Sequence, residues 1–551
     1  MSGPVGWFDR LFPDRAPAAA GDFSTTRRVI PLAALAAAIG AASGVIALVL
    51  TRLIALCTNA FFFQRLSAAA ASPRDHALGP WSALVPVAGG LLIGLMARFG
   101  SERIRGHGIP EALEAILIRG SRVEPRLAVL KPLSAAISIG SGGPFGAEGP
   151  IIMTGGAFGS LVAQHLHLTA AERKTLLVAG AAAGMTATFG SPLAAMLLAV
   201  ELLLFEWKPR SIVPVALACA AAMVVRQRII QEGPLFAAPL HAAIPCTLPV
   251  LAACVVAGLA AGALSSLMTA SVYLFEDLFL RHARRLHWMW WPAIGGVVIG
   301  AGGLVCPRAL GIGFDSIGAL LDGSLPLRVT LVLILVKWTI WSFALGSGTS
   351  GGVVAPLLML GAALGSLEAH VFPSVGAPLW PLVGMGAILG GTMRAPFTAI
   401  LFAAEVTHDW GALLPIAIAV AIAHAFTVLA LRRSILTEKV ARNGYHVCRE
   451  YAIDPLEVLF VRDVMRPVSG GGAPGPGFAE LDETLRAVAY RMAATEVTHL
   501  RVRASAGAEG VAGEIHLADL LVARRRHLEE ETRRERVIAV ERLLPAALRR
   551  G

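Results

Sequence analysis

Glu148 lies in GAEGPIIM (146–153) with no other charge among its neighbours. A carboxylate carried to membrane depth costs about 3 kcal/mol or more, and such residues are usually functional. It closes one of three glycine-rich segments: GHGIPE (106–111), GSGGPFGAEGP (140–150) and GSGTSGGVVAP (346–356). Each holds a proline where a helix would begin, a place that tolerates proline because its missing N–H would be unpaired anyway. Glycine lets the preceding loop turn tightly and bring its backbone close to a ligand. Free N–H groups at a helix start attract anions, helped by the helix dipole. Three such starts, one with its own carboxylate, point to an anion site. Glu148 would fill the anion's place when ionised and leave it when protonated.

The chain that must position these loops reads as membrane-embedded. Of its 551 residues 56% are hydrophobic and 15% charged, against about 25% charged in soluble domains. The charge is concentrated in 1–28 and 432–551. A crossing helix needs about 20 apolar residues. Segments 29–56, 80–98, 247–280, 288–305, 328–346 and 411–431 meet or approach that length. Shorter apolar segments at 150–164, 174–189, 192–205, 353–369, 379–393 and 395–405 read as re-entrant half-helices or a packed interior. Irregular backbone survives in a bilayer only where protein or a watery cavity satisfies it.

The net charge of +10 belongs to this topology rather than to nucleic acid binding. Arg10, Arg15, Arg27 and Arg28 precede the first apolar run, and Arg432, Arg433, Lys439 and Arg442 follow the last. Basic flanks mark the cytoplasmic side, so both termini are expected there, with an even number of crossings. Gly3, Pro4, Asp9, Pro13 and Asp14 interrupt the N-terminus before any apolar run, unlike a cleavable signal.

The apolar block is duplicated. KPLSAAISIGSGGPFGAEGP (131–150) resembles KWTIWSFALGSGTSGGVVAP (337–356), with 206 residues from Lys131 to Lys337 and from Pro150 to Pro356. SPLAAMLLAVELL from Ser191 likewise resembles APFTAILFAAEVT from Ala395, with 204 residues from Glu201 to Glu405. Duplicated membrane halves with matching glycine-interrupted segments suggest a transporter-like architecture, its binding site where those segments meet. Whether the halves are parallel or inverted is left open by these spacings.

Other chemistries fit poorly. GSGGPFG lacks the closing Gly-Lys-[Ser/Thr] of a phosphate loop. His165 and His167 are two apart, not at the i, i+4 spacing of a helical metal pair, and Cys57, Cys219, Cys246, Cys254, Cys306 and Cys448 form no CxxC. No enzyme, metal or cofactor is expected. Gly296, Gly300 and Gly361 are expected to serve close helix packing.

Taken together, GHGIP, GAEGP, GVVAP (352–356), GMTATFGSPLAAMLLAVE and GGTMRAPFTAILFAAEVT resemble the signatures of the CLC family of chloride channels and chloride/proton antiporters, over roughly residues 30–445. The resemblance implies an all-α polytopic membrane protein of two inverted repeats with broken and re-entrant helices. It also implies a homodimer with one pore per subunit in a bacterial inner membrane, with chloride as the transported ion. Carried over by motif, Glu148 matches the gating glutamate, and Ala147, Glu148 and Gly149 supply amides near an outer site. Val353 and Val354 supply amides near a central site. His107, with Gly108 and Ile109, stands where the family has an anion-coordinating serine, and Leu436 where an inner tyrosine usually closes the pathway.

The departures bear on mechanism. An imidazole at His107 donates through one nitrogen or carries charge, which leaves chloride against nitrate open; the fluoride branch is not expected. Leu436 removes a hydroxyl from the inner gate, and Ala147 removes the usual cation. In many antiporters of the family the residue after Glu201 is a proton-receiving glutamate; here it is Leu202. Glu201 and Glu405 are read as structural or proton-linked. This leans towards a voltage- or pH-gated chloride channel or weakly coupled transport, with chloride/proton antiport as the alternative.

The expected organisation is a cytoplasmic segment 1–28, a pore domain 29–445 with halves about 29–235 and 245–445, and a cytoplasmic region 451–551. In that last region VRDVMRPV (461–468) opens a pattern resembling a small α/β CBS regulatory domain, followed by the linker SGGGAPGPG. ELDETLRAVAYRMAA and HLADLLVARRRHL read as helices, THLRVRA and GVAGEI as strands. The remaining sequence is too short for a second copy, so the pair is incomplete and adenine nucleotide binding is not expected.

Overall fold

The computed structural model describes residues 25–230, 233–236, 244, 247–282, 286–375, 378–445, 456, 459–467, 477–503 and 511–532. Most of the 1–28 segment, Cys246, Cys448 and the 469–476 linker lie outside them. The chain separates into two compact units, Met1–Arg449 and Glu450–Gly551.

The larger unit is helical. Its first half runs α1 (Val29–Phe63), α2 (Val85–Phe99), α3 (Ile109–Leu117), α4 (Pro125–Gly140), α5 (Glu148–Gln164), α6 (Ala170–Phe189), α7 (Pro192–Leu198) and α8 (Pro209–Val225). The second runs α9 (Leu248–His282), α10 (Trp291–Val305), α11 (Phe314–Leu321), α12 (Leu327–Gly346), α13 (Val354–Glu368), α14 (Trp380–Met393), α15 (Pro396–Thr407), α16 (Leu413–Ala430) and α17 (Ile435–Arg442). Proline opens α4, α7, α8 and α15, fixing where those helices begin. Glu172 reaches back to the Thr169 amide, completing a capping box on α6.

Among the described residues, 7 helices are long and apolar enough to cross a membrane. One of them, Pro209–Ile229, falls outside the runs read from composition, because Pro209, Pro214, Arg226 and Arg228 interrupt its hydrophobicity. Arg226 is nonetheless buried, its guanidinium donating to the carbonyls of Ala187 and Thr188 at the end of α6. A buried cation that caps a helix C-terminus interacts favourably with the dipole as well as the carbonyls.

The two halves repeat in three dimensions. α5 packs on α6 as α13 packs on α14. Gly155 faces the Gly180 carbonyl, and Gly361 faces that of Gly384, so each pair of backbones meets where a Cβ would intrude. Gly296 and Gly300 likewise press on the backbone of Pro86 and Ala83. Gly146 and Gly352, equivalent residues of the repeat, exchange both backbone hydrogen bonds, at 3.1 and 2.8 Å. Mutual exchange between equivalent residues places a pseudo-two-fold axis between them.

In the smaller unit the chain runs α18 (Val461–Val464), β1 (Arg466–Pro467), β2 (Phe478–Glu480), α19 (Leu485–Thr495), β3 (His499–Arg503), β4 (Val511–His516) and α20 (Leu517–Thr532). The sheet order is β1-β4-β3-β2. The β2–β3 pair is parallel, joined through α19, and the other pairs are antiparallel. Val461, Val488, Leu500, Val502 and Ile515 form its core. Of the expected elements, the described residues hold helices within ELDETLRAVAYRMAA and HLADLLVARRRHL and strands within THLRVRA and GVAGEI.

Candidate functional site

The glycine loops meet in the interior. Gly106 donates to the Thr349 carbonyl at 3.2 Å, joining the first loop to the third, while Gly146 and Gly352 join the second to the third. A Cβ on Gly108 would press on the Gly149 carbonyl group, and one on Gly149 would strike the His107 carbonyl oxygen and approach Gly352. The N-termini of α3, α5 and α13 therefore converge, and only glycine permits the approach. Among the candidate residues, His107, Gly108, Ile109, Ala147, Glu148, Gly149, Val353 and Val354 are all buried and belong to these joined loops. Leu436 is buried on α17, which packs on α3 from another direction.

Glu148 is 0% exposed, and neither carboxylate oxygen has a hydrogen-bond donor in bonding geometry among the described residues. The side chain folds back over Gly146 and Gly352, where the amides of its own residue and of Ala355 face it. At the equivalent position of the second half stands Val354, so the carboxylate is an addition to one half only. The arrangement is a cradle of main-chain amides holding a removable negative group.

Two lysines fix the loops. Lys131 Nζ donates to the carbonyls of Ile104 and Gly106, both at 2.9 Å. Its repeat partner Lys337 donates to Ala309 and Gly311, at 3.0 and 2.9 Å. Both are fully buried. A buried ammonium is tolerated when its donors are satisfied, and here the satisfied groups are the carbonyls that precede a helix start. The second set reveals a fourth loop that the sequence reading missed: GIGF (311–314) before α11 matches GHGI (106–109) before α3. Gly106 and Gly108 have φ of +89° and +91°, Gly311 and Gly313 of +63° and +78°, all in the left-handed region. The Lys-to-loop spacing was the available signal, masked because no proline follows Gly313.

Glu201 and Glu405 do something else. The Glu405 carboxylate accepts from the amides of Leu193 and Ala194 at 3.0 and 2.8 Å. Glu201 accepts from Phe397 and Thr398 at 3.2 and 2.8 Å, and from the Thr398 hydroxyl at 2.6 Å. Each half's glutamate thus caps the first turn of the other half's helix, a reciprocal clasp on α7 and α15. Glu201 lies in a π-helical turn, Ala199–Leu204, and Leu202 beside it is fully buried.

Beside the loop that carries His107, a cavity of about 640 Å³ is lined by Arg105, His107, Tyr273, Glu276, Lys439 and Asn443, among others. The Tyr273 hydroxyl donates to the Ile435 carbonyl at 2.5 Å, and Lys439 pairs with Glu276, anchoring α17 to α9. Among the described residues no group of His, Cys, Asp and Glu could hold a metal ion.

The family model described as voltage gated chloride channel matches residues 89–428. The chain belongs to the CLC family. Within it, this CLC protein is 32% identical over 380 residues to the H(+)/Cl(-) exchange transporter ClcA of Yersinia pestis, covering 64% of this chain and 76% of that one. It is 29% identical over 378 residues to a protein of Ralstonia nicotianae named by likeness as a ClcB-like chloride channel, covering 66% and 87%. Among solved structures it resembles a slow cyanobacterial Cl-/H+ antiporter, with a TM-score of 0.67, 21% identity, and 76% of this chain and 99% of that chain covered. The fold is accordingly the CLC fold, two inverted repeats of broken and re-entrant helices in a multi-pass membrane protein.

Proposed function

We propose that this CLC protein exchanges chloride for protons across the membrane, with Glu148 taking turns with the anion at the amide cradle. The observation that carries this is the buried Glu148 carboxylate folded over Gly146 and Gly352, faced by the amides of its own residue and of Ala355. Ionised, it competes with chloride for the amides of α5 and α13; protonated, it loses that attraction and vacates the cradle. A group that must take up a proton to release the site to an anion couples the two movements. The naming of relatives as exchangers supports coupled exchange over the passive conduction to which the sequence alone leaned. Leu202 favours the second reading, passive chloride conduction, since it provides no acid beside Glu201.

Around this site we assign anion contacts to His107, Gly108, Ile109, Ala147, Gly149, Val353 and Val354, with Leu436 as an apolar inner constriction. Glu201 and Glu405 are given a structural role. The functional unit is a homodimer in a bacterial inner membrane with cytoplasmic termini, and the smaller unit is a CBS-like domain that supports the dimer. The test is the chloride reversal potential of reconstituted protein under an opposing pH gradient. Displacement from the chloride Nernst potential is expected; a potential that follows chloride alone would establish a channel.

A further inference from the structure

Exchange needs a route for the proton from the charged cavity to Glu148. Leu202 offers none. His107 has the placement for it. Its side chain is 6% exposed and lines the 640 Å³ cavity. Its Nδ1 is enclosed and without a hydrogen-bond partner, which leaves Nε2 to face the cavity. Its carbonyl oxygen touches Gly149, the residue after Glu148. Lys131 holds the Gly106 carbonyl on one side, and the Glu111 carboxylate binds the Gly108 amide at 2.8 Å on the other, so the loop carrying the ring is fixed. A hydrophobic wall would leave no such nitrogen unpaired, because an unsatisfied buried polar atom is costly.

We infer that His107 is the residue that passes protons between the inner cavity and Glu148. The inference rests on the exchange reading above. In the inward step, Nε2 of the neutral ring accepts a proton from a hydronium in the cavity, leaving water behind. Among the described residues neither Nδ1 nor the Glu148 carboxylate is hydrogen-bonded at rest, so the carboxylate first swings to the ring. The proton on Nδ1 then departs to it, making it a neutral acid and returning the ring to neutrality as the other tautomer. Exchange with water at Nε2 and reorientation of the ring restore the starting tautomer. The charged groups acting on the ring are Lys131 of α4, Lys439 of α17 and Glu276 of α9, with Arg105 and Glu111 in the same cavity wall. With Lys439 paired to Glu276 and Lys131 bound to carbonyls, the ring keeps an unpaired nitrogen, Nδ1.

The experiment measures proton and chloride movement together in liposomes, for the full-length wild-type protein, His107→Gln, His107→Ala and Glu148→Ala. Glutamine keeps a hydrogen-bond donor at the anion but does not titrate. The expected result is a proton-to-chloride flux ratio at least tenfold lower in His107→Gln, whatever its chloride turnover. The same fall is expected in His107→Ala, reversed by millimolar imidazole in the buffer, with no reversal in Glu148→Ala. A wild-type ratio in His107→Gln overturns the inference, and so does failure of imidazole to restore His107→Ala. A wild-type protein without proton movement overturns the exchange reading itself, a result distinct from either of these.

Discussion

Replacing Glu405 tests whether the reciprocal carboxylates hold the halves together or serve proton movement. In Glu405→Ala the amides of Leu193 and Ala194 lose an ionised acceptor at 3.0 and 2.8 Å in a site where the carboxylate is 6% exposed. Hydrogen bonds to charged groups contribute about 1.5–3 kcal/mol each, so about 3–6 kcal/mol is lost. Removing the carboxylate also relieves its own desolvation, which leaves a net destabilisation of about 2–4 kcal/mol. Glu405→Gln keeps one acceptor but turns an NH₂ towards an N–H, and is expected to lose about half as much. Thermal unfolding in detergent, followed at a fixed scan rate because such unfolding is often irreversible, should show the midpoint of Glu405→Ala falling by about 2–4 °C. The Glu201→Ala variant should fall similarly, and the double variant by less than the sum, because α7 and α15 touch. The folded fraction of Glu405→Gln should keep the wild-type proton-to-chloride ratio. An unshifted midpoint with an altered ratio would refute the structural assignment.

Glu148→Ala is expected to abolish proton movement and pH-dependent gating while chloride efflux persists; loss of efflux in a monodisperse protein would contradict the gate. Gly149→Ala places a Cβ against the His107 carbonyl oxygen. Overpacking of this kind destabilises by about 1–3 kcal/mol or more, so a sharp drop in the monodisperse yield should appear on gel filtration, and normal yield would show that the loops give way. In the smaller unit, burial opposes ionisation of Asp519, but the Arg466 guanidinium at 2.6 Å and the His516 amide at 2.9 Å outweigh it and hold the group below its usual value. With the folded value depressed, this stabilisation is complete above the unfolded value and is lost as pH falls through the folded one. Protection factors of the β4 amides, corrected for intrinsic exchange, should therefore fall below about pH 3.9 in the wild type and change little over that range in Asp519→Asn.

Much of the site was legible because its motifs are local. Glycine, proline and a charge within a few residues define each helix start, and the Lys131–Lys337 offset recovered the duplication. What failed depended on partners distant in sequence. Glu201 and Glu405 recur at equal spacing, which reveals that they are equivalent but not that each caps the other half's helix. The span at Pro209–Ile229 was missed because Arg226 and Arg228 counted against it, although Arg226 spends its charge on carbonyls inside the protein. The fourth loop, GIGF, lacks the proline that marked the other three. The functional lean towards a channel came from the departures at Leu202 and Leu436; a relative named as an exchanger weighs against it, while another is named as a channel.

The cradle around Glu148 is built largely of main chain, and that shapes how the protein can change over time. Side chains at Ala147, Val353 and Val354 can drift among small and branched apolar residues without altering the amides beneath them. Drift is barred instead at Gly108, Gly149 and Gly352, where any side chain collides with a neighbouring backbone. New ion preferences in this lineage would therefore arise through the few side chains that reach the cradle, His107 foremost, while the lining itself stays fixed across generations.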